Sequence, residues 1–245
     1  EEKLPKKKYL LPAQIDTERL LLLEEGHYSP RKIDDDFSKE VLKKFAEDLD
    51  NDKTIFLKSD IESFKKFESK IDDEIHGGEL QSFFTINDVY LKRLNEVSVL
   101  FKDILAKPFD FSKDEKVSMD ADKNDFPKTE ADRSEIWRKR LKYAVLGRYV
   151  DMQEDREKNK DKKDFKVKAD STLEREARDQ VRKQIDRYFS TKKTRENTDE
   201  NFSTFVNTIT TVMDPHSSYF PPIDLRSFNE SMSGHFYGIG GITLS

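Results

Sequence analysis

The residues of this chain best suited to recognising a chemical group lie near its end. Gly238-Ile239-Gly240-Gly241-Ile242, followed by Thr243-Leu244, mixes glycine with apolar side chains. Glycines let successive backbone N–H groups converge on an anion, and an apolar strand directly after such a loop offers an edge to which a peptide can add. The chemistry would be capture of a carboxylate, with no bond made or broken. An ordinary glycine-rich turn into a strand fits the same residues.

Patterns for bond-making chemistry are incomplete. Ser63 and Lys66 have the S-x-x-K spacing of a serine activated by a neutral lysine, but they sit among other lysines on the polar side of a helical pattern, where the amine stays charged. Asp120, Asp122 and Asn124 fill the first, third and fifth positions of a calcium loop. Its sixth position is Asp125 instead of glycine and its twelfth is Ala131 instead of a bidentate carboxylate. His27, His76, His216 and His235 are too scattered for a zinc pair, and there is no G-x-S-x-G. No catalytic residue and no metal ligand is assigned, and no cofactor is expected.

Composition narrows the partners. Hydrophobic residues make up 34% and charged residues 39%, which is polar, yet 18 Phe, 8 Tyr and one Trp supply enough aromatic area for a packed core. A net charge of −5 disfavours a nucleic-acid binder, and the field of the basic segment 156–168 is partly offset by its own aspartates and glutamate. Without cysteine there is neither a disulfide framework nor a thiolate metal site. Leu20–Leu23 is the longest apolar run considered, far short of the roughly 20 residues of a membrane span. The opening Glu1-Glu2-Lys3 suggests a mature protein whose targeting segment has been removed.

The elements that would position these residues read as helices. Leu20–Leu23 belongs to a helix stopping at Gly26. Phe37, Val41, Leu42, Phe45 and Leu49 follow the 3.6 period up to Asp50-Asn51-Asp52. Ser59 and Glu62 have capping-box spacing ahead of Ile61, Phe64, Phe67, Ile71 and Ile75, and Gly77-Gly78 closes that stripe. Phe83, Tyr90, Leu94, Val97, Phe101 and Ile104 or Leu105 mark a long helix ending before Pro108, and Thr129 caps another bearing Ile136, Trp137, Leu141, Val145 and Tyr149. Ser171 and Glu174 repeat the box before Leu173, Ala177, Val181, Ile185 and Tyr188. A polar loop is expected from Ser190 to Asn197, and Phe202, Phe205, Val206, Ile209 and Met213 form a helix that must stop near Asp214-Pro215. Residues 224–232 could form one more helix, and Phe236 to Ser245 has strand character.

The order Asn207 to Met213, Asp214-Pro215-His216-Ser217-Ser218-Tyr219-Phe220-Pro221-Pro222, Phe228-Asn229-Glu230-Ser231-Met232 and Gly238-Ile239-Gly240 resembles the segment leading into the PDZ domain of tail-specific, or C-terminal processing, serine peptidases. His27-Tyr28, Phe37-Ser38, Leu49-Asp50, Ser59-Asp60 with Phe64, Pro108 to Phe111, and Pro127-Lys128 before Trp137 resemble the helical N-terminal domain of that family, so the resemblance covers nearly the whole chain. It implies an all-α chain: a bundle-like N-terminal domain over 1–152, a charged linker or helix extension over 153–170, a second helical subdomain over 171–235, and over 236–245 the strand-forming start of a truncated PDZ domain. Gly238, Ile239, Gly240, Gly241 and Ile242 then correspond to the loop that binds a substrate C-terminus. Gly241 departs from the family's pattern of glycine, apolar, glycine, apolar. The family's catalytic serine and lysine have no counterpart in this chain.

The resemblance further implies a periplasmic protein and, as partners, protein substrates with apolar C-terminal tails. An adaptor protein and self-association remain open. The expected role is non-catalytic, in substrate access, adaptor docking or positioning of the PDZ domain. A helical scaffold without any protease attached is the alternative.

Overall fold

A computed structural model describes residues 31–195, 198–219 and 232. The expected helix around Leu20–Leu23 and the tail 236–245 lie outside the described residues, as does the helix 224–232 apart from Met232. Among the described residues all regular structure is helical, in seven α-helices and two short 3-10 turns.

Helix α1 (Asp35–Leu49) starts where the Asp34 carboxylate accepts hydrogen bonds from the Asp36 and Phe37 N–H groups. Its inner face, Phe37, Val41, Leu42, Phe45 and Leu49, is buried as the periodicity requires. The next stripe was expected to be one helix capped by Ser59 and Glu62. It is instead α2 (Lys58–Phe64), a 3-10 turn (Lys65–Phe67) and α3 (Ile71–Ile75). Ser59 is exposed and caps nothing. The Asp60 carboxylate takes the Leu57 N–H at 2.9 Å, because Arg93 fixes it with two bonds of 2.8 and 3.0 Å. The break lets Ser38 of α1 accept the Asp72 N–H and donate to the Asp72 carboxylate, so that Phe64, Phe67, Ile71 and Ile75 all reach the core.

Gly77 ends α3 with φ +105°, a conformation open to glycine and costly for other residues. Helix α4 (Ser82–Leu105) is the central element and touches α2, α5 (Glu130–Asn159), α6 (Asp170–Arg195) and α7 (Thr198–Met213). Thr129 does cap α5: its hydroxyl accepts from the Asp132 N–H while Asp132 takes the Thr129 N–H, both at 3.1 Å. Residues 153–159 of the charged segment extend α5. The second expected box is absent, since α6 begins at Asp170 and Glu174 is used elsewhere, accepting from the Phe109 N–H and from Arg178.

The expected polar loop from Ser190 is mostly helix, because α6 runs on to Arg195, with Lys192 donating to the Tyr90 hydroxyl and Lys193 to the Asn95 side chain. Tyr188, expected on the inner face, is 47% exposed; the buried aromatic is its neighbour Phe189, stacked on Phe101 at 5.2 Å. Helix α7 stops before Pro215 as read from the sequence, and packs along α1. One apolar cluster runs from Ile33 to Met213, with Phe45, Phe83 and Phe205 meeting ring to ring where α1, α4 and α7 converge.

Candidate functional site

The loop Gly238–Ile242 lies outside the described residues. The other sequence candidates are dispersed. Ser63 donates to the Asp60 carbonyl at 2.6 Å, and the Lys66 ammonium sits 4.9 Å from the Phe67 ring, so no hydrogen bond joins the pair. Asp120 accepts the Asp122 N–H at the start of a 3-10 turn over Ala121–Lys123. His76 Nδ1 meets the Asp72 carbonyl at 2.7 Å, and His216 is exposed. Among the described residues no group of three His, Cys, Asp or Glu could hold a metal ion.

Besides Asp60, two buried carboxylates escaped the sequence reading, and both are committed to the backbone. Asp50 accepts the N–H groups of Thr54, Ile55 and Phe56 at 2.8–2.9 Å. Burial pushes its pKa up, against the pull of those three donors and of Lys192. Glu74 takes the Gln81 and Ser82 N–H groups and the Ser82 hydroxyl, capping α4 from across a turn; burial raises its pKa as well. With their lone pairs aimed at N–H donors of one segment, neither is placed to take a proton from a substrate. They fix loops.

The loop that Asp50 folds is gripped from the other side by α5. Trp137 Nε1 donates to the Thr54 carbonyl at 2.9 Å and Arg133 to the Ile55 carbonyl at 2.8 Å, while Arg133 also pairs with Glu96. The acidic 107–128 segment is pinned likewise, Glu115 meeting both Arg138 and Lys142 of α5. These two cations hold the Glu115 carboxyl down at about 2.

The arrangement with functional consequence lies just after α7, at the end of the described stretch 198–219. After α7, the Ser217 N–H returns to the Asp214 carbonyl at 3.0 Å, and the Asn207 side chain then brackets Tyr219. Asn207 accepts the Tyr219 N–H at 2.8 Å and donates to the Tyr219 carbonyl at 3.2 Å, imitating a strand pairing. This clamp ties the segment after α7 to the middle of a helix whose inner face is in the core. At the other boundary of the described fold, Arg31 reaches the end of the same helix, its N–H on the Met213 sulfur and its guanidinium on the Val212 carbonyl. One helix, α7, therefore holds both Arg31 and Tyr219. Beside it, an open groove of about 640 Å³ runs between α6, the end of α1 and the start of α7, with Arg187, Tyr188, Lys192, Asp48 and Glu200 on its walls. Its mixed charge selects no ligand class.

Comparison with known proteins adds two findings. Residues 20–223 match the family described as the tail specific protease N-terminal domain. A tail-specific protease of Haemophilus influenzae is 31% identical over 230 residues, which cover 93% of this chain and 30% of that protein. The chain thus spans about a third of the length of that relative.

Proposed function

This chain belongs to the tail-specific protease N-terminal domain family, and from that premise we propose that it is the non-catalytic region of a periplasmic tail-specific serine endopeptidase, rigidly positioning the PDZ domain that follows. The observation that carries this reading is the two-bonded clamp of Asn207 on Tyr219. A module that only tethered would have no need to fix the segment after α7, whereas one that orients a neighbour must remove the torsional freedom of the residues that follow its packed helices. In the whole protein, Gly238 to Ile242 would supply the N–H donors for a substrate's C-terminal carboxylate. Substrates would be proteins with apolar C-terminal tails, and nucleophile and base would come from the part of the protein beyond this chain.

The test uses this chain and the longer protein that carries it. This chain alone should not cleave a peptide with an apolar C-terminus, while the longer protein should. Asn207→Ala in the longer protein should lower kcat/KM for that peptide at least about tenfold, in line with the cost of misplacing reacting groups by about 1 Å, while its unfolding midpoint stays near wild type. Unchanged kinetics, or turnover by this chain after repurification, would refute the reading.

A further inference from the structure

We infer that the outer face of α5 is a contact surface for a second copy of this chain, the two helices crossing antiparallel at Gly147. Trp137, Leu141 and Val145 face the core, and the opposite side carries Ile136, Lys139, Tyr143, Gly147, Val150 and Glu154 at helical spacing. Tyr143 is 59% and Val150 41% exposed, unusual for large apolar side chains one helical repeat apart. Between them stands Gly147, in the middle of a 30-residue helix, where glycine is the poorest helix former after proline. The fold itself gives no reason for it: a Cβ built there meets nothing within 4 Å. Glycine on an exposed apolar face gives a second backbone room to come close.

The face also matches itself. Turning the helix end for end about the midpoint between Leu146 and Gly147 exchanges Tyr143 with Val150, Lys139 with Glu154, and Glu135 with Lys158. Half-buried Leu146 then lies over the glycine of the other copy. Tyr143 thus meets Val150, Lys139 meets Glu154 and Glu135 meets Lys158, while Ile136, towards the end of the face, comes opposite Glu157. Within one chain Lys139 sits 3.8 Å from Glu135 and Lys158 3.4 Å from Glu154. Such surface pairs between neighbouring helical turns are weak and can be shared across an interface. A parallel pairing would set Lys139 on Lys139 and Glu154 on Glu154, and so is disfavoured. One helix pair, about 33 Å long over 22 residues, falls in the size class of transient complexes. The association should therefore be reversible, with a Kd on the order of micromolar to tens of micromolar. This inference is independent of the PDZ-positioning role.

Sedimentation equilibrium of the chain from about 1 to 100 µM, a range bracketing that Kd, should show a reversible monomer–dimer equilibrium. Gly147→Arg should weaken it at least about tenfold, the effect of losing close packing at the centre of an interface, without lowering the unfolding midpoint. Lys139→Glu and Glu154→Lys should each weaken it, and combining both changes in one chain should restore it. The chain has no cysteine, so single thiols report the register. Mixing Tyr143→Cys with Val150→Cys chains should give the mixed disulfide faster than either gives its own, because like positions are offset by about 10 Å along the axes, too far to bridge. A monomer at all concentrations, a dimer indifferent to Gly147→Arg, failure of the double charge exchange to restore association, or preferential cross-linking of like positions would each overturn the inference.

Discussion

Asp50 shows how a single carboxylate can organise a segment that has no regular structure. Its two oxygens satisfy three consecutive N–H groups, and the Trp137 and Arg133 bonds take the carbonyls of Thr54 and Ile55, so this buried turn has partners for most of its polar atoms. Asp50→Ala should cost about 3 kcal/mol or more in denaturant unfolding, since an orphaned buried donor costs about 1–3 kcal/mol; a loss under 1 kcal/mol would mean that water replaces the carboxylate. Glu115 sets an acid limit. Its folded pKa of about 2 lies below the ordinary glutamate value, so between about pH 4.5 and 2 the unfolded chain binds the proton that the folded chain refuses. Stability falls as pH falls through that window. Asp50 and Glu74, whose pKa values burial raises, act in the opposite sense and favour the fold when protonated. Denaturation midpoints from pH 5 to 2 should accordingly decline less steeply in Glu115→Gln than in wild type. The carboxylates of 107–128 are plain in the sequence. That Arg138 and Lys142 seize one of them is not, because the pairing spans 23 and 27 residues.

At the scale of elements, apolar period and local punctuation located helices better than capping motifs located their first residues. The Asp34 and Thr129 caps formed because no tertiary partner competes for their side chains, whereas Ser59 and Glu174 lost theirs to stronger claims by Asp60, Arg93 and Arg178. The glycines make the same point in energy. Gly77→Ala should destabilise by about 1–2 kcal/mol, because its φ of +105° is strained for any side chain. Gly78→Ala should also lose stability, its Cβ falling 2.7 Å from the Asp73 carbonyl oxygen. Gly147→Ala, with open space and helical backbone, should stabilise the monomer by about 0.5–1 kcal/mol. Thermal unfolding of the three variants below the association range separates the cases, and a stable Gly77→Ala would contradict the assigned turn.

For the whole molecule, the convergence of Phe45, Phe83 and Phe205 couples the first and last described helices through α4. Phe205→Ala and Phe101→Ala, both removing fully buried rings, should each cost about 3–5 kcal/mol. Circular dichroism and tryptophan fluorescence should still report coincident transitions, since Trp137 packs on Phe189 in the same cluster. Separate transitions would show that α7 unfolds independently. The sequence by itself determined that the described elements are helices, which faces they bury, where α4 and α7 stop, and which family the chain resembles. All of these follow from spacing between near neighbours, from proline and glycine, and from the order of short motifs. Only the tertiary structure decided that α6 continues through a polar stretch, that Phe189 and not Tyr188 turns inward, that Asp50 and Glu74 are buried, and that Asn207 clamps Tyr219. The physical reason is that each rests on a partner dozens of residues away or on the choice between adjacent side chains. Periodicity sets the buried face of a helix, but neighbours such as Tyr188 and Phe189 fit its edge equally well, and the core selects one.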